Sequence, residues 1–204
     1  MSRDFLVVDF EFTHYTRPVG RPRGFFSEII EIGAVKIDGA TMGTVGQLQH
    51  FVKPHFYPNQ AKEAMDFCMI TEQDMKTAIA FDGMLAKLGA LYVPGETYFV
   101  SWGDADWLVV DEGCRRHGRP NPVLAEDCLD LALAYRLRRG DTMTTGLRKA
   151  AEELDVAGGL WHTAYDDAVN TGKILERMLA NRWTPEEYFD AVEERRARGS
   201  VQGG

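Results

Sequence analysis

Residues Asp4 to Thr13 read DFLVVDFEFT. Phe5, Leu6, Val7 and Val8 form a short apolar run rich in strand-forming side chains, the mark of a buried strand. Where that pattern predicts further apolar residues, the chain places Asp9 and Glu11 instead. Side chains two apart on a strand share a face, with Cα atoms roughly 6.6 Å apart at about 3.3 Å per residue. Both carboxylates can then reach one bound cation. A frayed strand end with two solvated acids has the same spelling, so the rest of the chain decides between the two readings.

Working outward, HYTRPVGRPRGFFS is a loop by its prolines and glycines, and it carries Arg17, Arg21 and Arg23. It reads first as a solvated basic loop and second as a lip that touches a polyanion. Glu28 to Asp38 is a second strand, Asp38-Gly39 supplies turn residues, and Gln47 to Lys53 is a third strand closed by Pro54. Thr71 and Asp74 spell an approximate capping box for a short helix, and Phe81 to Leu91 is an amphipathic helix. Thr97 to Trp102 is a fourth strand, followed by Asp104 and Asp106 and then a helix that begins at Trp107 and stops at Gly118.

A short fifth strand is placed around Ala125 to Leu129, with a helix after it to about Arg138. Thr145 to Leu154 is a further helix, Trp161 and His162 fall in a loop, and Asp166 or Asp167 opens the next helix. Thr184, Pro185 and Glu187 start a last helix ending near Arg198. Strands early and helices interleaved later define an α/β fold, a mixed five-stranded sheet with flanking helices. The expected organisation is one domain over 1–183, a C-terminal helix over 184–198 packed on or extending it, and a disordered tail over 199–204.

The 204 residues suffice for a substantial core, and no apolar run approaches the ~20 residues needed to cross a bilayer. Three cysteines without CxxC spacing read as reduced thiols in a cytoplasmic protein rather than a disulfide framework or zinc site. A net charge of −8 argues against binding nucleic acid through bulk positive charge, but not against meeting phosphates through bound metal ions.

The carboxylates recur at strand ends, where α/β sheets place their sites. Asp9, Glu11, one of Asp104 or Asp106, and one of Asp166 or Asp167 can share a cleft. Two bare carboxylates ~4 Å apart repel by about 4 kcal/mol at an effective dielectric of 20, so four together require cations. All-oxygen ligation selects Mg²⁺ or Mn²⁺ over zinc. Two such ions roughly 3.5–4 Å apart activate a water and stabilise the leaving oxygen of a phosphodiester. His162, five residues before Asp167, can take the proton from the attacking water. No HxxxH, GxSxG or P-loop pattern offers a competing chemistry.

DFEFT, SWGDAD and HTAYDDA, in that order, resemble the three motifs of the DEDDh superfamily of 3′–5′ exonucleases, with His162, Ala164 and Asp167 matching H-x-A-x-x-D. The wording between them (EIIEIGAVKI, FVKP, MDFCMIT) is similar to the branch of histone-mRNA and small-RNA 3′ exonucleases and bacterial sporulation-inhibitor-like exonucleases. The match spans about residues 4 to 180.

The resemblance implies an RNase H-like fold and a two-ion Mg²⁺ or Mn²⁺ enzyme. Such an enzyme releases nucleoside 5′-monophosphates from the 3′-hydroxyl end of single-stranded nucleic acid, RNA favoured and DNA possible. It implies that Asp9, Glu11 and Asp167 hold one ion, that Asp9 bridges to a second supported by Asp106, and that His162 is the general base. Phe12, Thr13 and Ile70 fall where the family grips the terminal nucleotide. Phe12 departs from the branch, where a small residue is usual, and the segment before Ile70 is shorter than in animal members.

Either Asp104 or Asp106 suits the second motif by its apolar neighbours. Laying TYFVSW on the family's preceding strand, and the SWGDxD pattern of the branch, both select Asp106 and leave Asp104 as a helix N-cap. A non-catalytic nucleic-acid-binding or protein-interaction module on the same fold is the alternative. No membrane partner is expected, protein partners are undefined, and monomer and homodimer both stay open.

Overall fold

The structure is a computed structural model that describes residues 2–15 and 21–201. Arg17 of the basic loop and residues 202–204 of the expected tail lie outside that range. Among the described residues, strands β1 (Asp4–Phe12), β2 (Ile29–Ile37), β3 (Thr44–Phe51), β4 (Thr97–Ser101) and β5 (Cys128–Asp130) form one sheet. Their order is β3-β2-β1-β4-β5. β2 runs antiparallel to β1 and β3, whereas β4 is parallel to β1 and β5. The expected mixed five-stranded α/β sheet is present, with the DFLVVDFEF strand at its centre.

Period-two alternation sorts β1 between two layers. Phe5 and Val7 pack with α7 (Ala164–Ala180) and α5 (Leu131–Arg139) on one face. Leu6, Val8 and Phe10 pack with α3 (Phe81–Leu91) and α4 (Ala105–His117) on the other. Asp9 and Glu11 continue the odd-numbered face and so point toward α7. α8 (Pro185–Val201) lays Tyr188 and Phe189 on the α7 layer and runs past the expected end near Arg198.

One close approach fixes where α7 begins. Gly33 on β2 pairs with Asp9 on β1, and a Cβ at Gly33 would lie 2.1 Å from the Ala164 carbonyl carbon. The missing side chain lets the first turn of α7 rest on the sheet beside Asp9. Glu31, two residues earlier and buried, accepts the Ala164 N–H at 3.2 Å and holds that turn down.

Several ends form as the sequence predicts. Thr71 and Asp74 make a reciprocal capping box on α2 (Glu72–Met75), and Gly118 ends α4 at φ 64°. Several places differ. The fifth strand shifts to Cys128–Asp130 because 125–127 coil into a 3₁₀ turn, where Asp127 accepts the Gly95 N–H at 2.8 Å. Asp130 then ends the strand by capping α5 through the Leu133 N–H at 2.9 Å. α6 (Leu147–Glu153) begins two residues later than expected, and α7 begins at Ala164, ahead of both aspartates. α1 (Ala61–Phe67) was not expected at all, since Gln60 gives it no side-chain cap. Its one signal was Ala61, Ala64 and Cys68 at i, i+3 and i+7.

Gly33→Ala is expected to destabilise the fold by about 3 kcal/mol, the upper end of the usual overpacking cost, because the clashing atoms are backbone. Chemical denaturation measures this. Wild-type stability in the alanine variant would mean that α7 does not approach β2 this closely.

Candidate active site

Four acids converge from three elements. Asp9 and Glu11 come from the end of β1, Asp106 from the first turn of α4, and Asp167 from the first turn of α7. Together with His162 they line one open cleft of about 590 Å³. Among the described residues, Glu11, His162 and Asp167 each offer a ligand atom within 4.8 Å of the others.

Backbone donors hold two of these carboxylates. Asp106 is buried and its Oδ1 accepts the Phe10 N–H at 2.9 Å, which ties α4 to β1 between the two strand acids. Asp167 Oδ2 accepts the His162 N–H at 3.1 Å, while its Oδ1 is buried without a partner. His162 sits at φ 63°, a left-handed conformation uncommon for a residue with a side chain. Its imidazole lies 4.5 Å from the Phe67 ring, centroid to centroid.

The neighbouring aspartates go elsewhere. Asp166 Oδ2 accepts from Leu160 N–H at 2.7 Å and Thr163 Oγ1 at 3.3 Å, securing the loop that carries His162. Asp104 is exposed and lines a different cavity with Trp107 and Asp130, so Asp106 is the middle aspartate that joins the cluster. Asp104 stands at the N-cap position of α4, as expected, but its side chain does not cap the helix. Its backbone is helical (φ −95°, ψ −9°) rather than in the extended region a capping side chain needs, and it makes no side-chain cap bond.

Crowding of like charge marks the site electrostatically. Burial, then Asp106, Asp167, Glu11 and Glu31, push the Asp9 carboxyl well above its ordinary value. Burial raises Asp106 to about 7 against the opposing Phe10 N–H, and raises Asp167 to about 6 against the His162 N–H. An all-oxygen carboxylate set with an unpartnered buried oxygen on Asp167 fits a hard divalent cation.

The expected nucleotide-gripping residues divide. Phe12 lines the cleft. Thr13 is fully buried and its Oγ1 accepts the Glu28 N–H at 2.9 Å, and Ile70 packs with Ile30, Ala61 and Ala64 and lines another cleft. Arg21 lies over the Phe25 ring at 5.3 Å, and neither Arg21 nor Arg23 lines the acidic cleft.

Sequence reasoning missed the far wall, built by Trp102, Leu147, Arg148 and Trp161. Trp102 Nε1–H donates to the Thr145 carbonyl at 3.1 Å, which holds the wall to β4. It also missed Cys68, whose Sγ donates to Glu11 Oε2 at 3.0 Å. Burial, followed by Glu11 itself, pushes this thiol up, so it stays protonated. All three cysteines are free thiols, as expected.

A mixed sheet of this order, with flanking helices and acids gathered at the end of its central strand, matches the RNase H-like fold expected from the sequence. Residues 6–175 match the model of the exonuclease family RNase_T, and the chain belongs to that family. It is 35% identical over 179 residues to the probable 3′-5′ exonuclease KapD of Bacillus subtilis (strain 168), covering 86% of this chain and 84% of that protein. It is 26% identical over 187 residues to 3′-5′ exoribonuclease 1 of Mus musculus, covering 85% of this chain but 52% of the mouse protein, so it spans about half that relative's length. In fold it is similar to the nuclease domain of 3′hExo, a DEDDh family member solved bound to rAMP, with a TM-score of 0.74 at 22% identity over 88% of this chain and 93% of that one. No helix among the described residues is long and apolar enough to cross a membrane.

The raised carboxyls set a pH dependence. Their folded values exceed the unfolded value near 3.9, so their contribution to stability is full below about pH 4 and is lost as pH rises through 6 and 7. In excess EDTA the melting temperature is expected to fall between about pH 5 and 8, and Mg²⁺ or Mn²⁺ should restore it at the upper end. Asp106→Asn, which keeps an oxygen for the Phe10 N–H, should raise the melting temperature in EDTA at pH 8. A flat profile in EDTA for the wild type would contradict this electrostatic account.

Proposed function

We propose that the chain removes nucleoside 5′-monophosphates from the 3′-hydroxyl end of single-stranded nucleic acid, RNA in preference to DNA, with two Mg²⁺ or Mn²⁺ ions. The observation that carries this reading is the convergence of Asp9, Glu11, Asp106 and Asp167 beside His162, with one buried Asp167 oxygen left open. Asp9, Glu11 and Asp167 would hold one ion, and Asp9 with Asp106 the other. When bound, the ions supply an activated water, stabilise the leaving oxygen, and let a chain of net charge −8 meet a phosphate backbone.

The protein's own groups do the rest. His162 takes the proton from the attacking water, with its backbone pinned to Asp167 and its ring against Phe67. Phe12 contacts the terminal nucleotide from the β1 side, with Thr13 and Ile70 proposed to complete the grip. In the same cleft, Trp161 offers a ring for a base and Arg148, which pairs with Glu152 at 2.9 Å, a cation for the backbone, which suits an unpaired strand. The RNA preference is supported by relatives that are themselves named exoribonucleases. Free thiols and the lack of a long apolar helix among the described residues support a cytoplasmic enzyme.

A panel of 5′-labelled oligonucleotides tests the activity. Linear RNA with a free 3′-hydroxyl should shorten stepwise in Mg²⁺ or Mn²⁺, DNA more slowly, and a 3′-phosphate should block the reaction. A circular strand cut as fast as a linear one would refute end-directed cleavage.

Two substitutions test the roles. His162→Ala should lower kcat by about 10²–10⁴ with little change in metal affinity. An alanine variant with wild-type kcat would remove His162 from catalysis. Asp106→Asn should abolish cleavage while Asp104→Asn stays active, and the reverse pattern would move the metal site to Asp104.

A further inference from the structure

The last turn of α1 reaches the candidate site twice. Phe67 lies against the His162 ring, and Cys68, the next residue, meets Glu11. The backbone of that turn is fixed. Cys68 N–H donates to the Ala64 carbonyl at 2.9 Å, Ile70 N–H donates to the Met65 carbonyl at 2.8 Å, and Met69 reverses the chain at φ 59°. Cys68 is 3% exposed and is enclosed by Ile30, Ala61, Ala64 and Ile70. Its sulfur is therefore held by packing beside the carboxylate it touches.

A buried cysteine is ordinarily a small hydrophobe, and a hydrophobe needs no acceptor. Here the thiol sits 3.0 Å from Glu11 Oε2, on a carboxylate that also faces His162 and Asp167. The last torsion of a glutamate is broad and roughly two-fold, so a free carboxylate rocks between orientations. A donor fixed on one oxygen removes that freedom and sets where the carboxylate faces.

We propose that Cys68 is a positioning residue for divalent-metal binding: its thiol fixes the rotation of the Glu11 carboxylate toward His162 and Asp167. The proposal rests on the metal-dependent exonuclease reading given above. Groups that orient metal ligands through hydrogen bonds typically change metal affinity or activity by 10–100-fold when mutated. Cys68 is inert as a nucleophile in this role, because the buried thiol stays protonated.

The test is Mn²⁺ binding to the intact chain without substrate, read from the electron paramagnetic resonance signal of free Mn²⁺. Cys68→Ala should weaken Mn²⁺ binding about tenfold, and Cys68→Ser, which keeps a donor, should restore most of it. The melting temperatures of both variants in EDTA should stay close to wild type, which separates orientation of Glu11 from loss of α1 packing. Cys68→Val, which has no donor and fills the site that the smaller alanine leaves open, repeats the test where alanine disturbs α1. Equal Mn²⁺ affinity in wild type, Cys68→Ala and Cys68→Val overturns the positioning role alone. No Mn²⁺ binding by the wild type overturns it together with the reading it rests on.

Discussion

Like-charged carboxylates crowded at the end of one strand set the terms for the rest of this fold. Asp9 and Glu11 share a face of β1, and Asp106 and Asp167 are brought against that face by the first turns of two helices. In a medium of effective dielectric near 20, each close pair opposes folding by about 4 kcal/mol at 4 Å separation. The raised carboxyls at Asp9, Asp106 and Asp167 express burial first and the neighbouring acids second. A protein that only needed to fold would place hydrophobic residues there. Retention of the acids fits a site built to be completed by cations.

The surrounding structure supplies donors that keep the crowd in place. Phe10 N–H serves Asp106, His162 N–H serves Asp167 and the Cys68 thiol serves Glu11. Behind them Glu31 takes the Ala164 N–H, and Gly33 leaves the space that lets α7 come close. The sheet's order follows the same logic. β1 is central, so its end opens between the α4 layer and the α7 layer, and each layer delivers one acid.

Much of this was legible in the residues. The apolar run of β1 interrupted by two acids located a buried strand and half of the carboxylates, because strand alternation is a strict local rule. His162 and Asp167 were readable through the resemblance to H-x-A-x-x-D, since the residues alone left Asp166 and Asp167 open. Local patterns failed where tertiary contacts decide. α1 lacks a capping side chain and is held by packing on Ile30, so its C-terminal turn, with Phe67 and Cys68 on the site, had only a weak periodic signal. The choice between Asp104 and Asp106 came from family resemblance, since both precede apolar residues at the same offsets. In the structure the Phe10 bond holds Asp106 within the acidic cluster, and Asp104 lines a different cavity. The far wall of Trp102, Leu147, Arg148 and Trp161 joins three distant segments, and no local spacing relates them.

The central claim is that these four carboxylates form a two-cation site with Asp9 between the ions. The most direct measurement is a crystal structure of the protein with Mn²⁺ and a nucleoside 5′-monophosphate, with the ions located by anomalous scattering. The account predicts two anomalous peaks roughly 3.5–4 Å apart, both in contact with Asp9, one also held by Glu11 and Asp167 and the other beside Asp106. Absence of density at the cluster, or an ion bound at Asp104 in the neighbouring cavity, would contradict it.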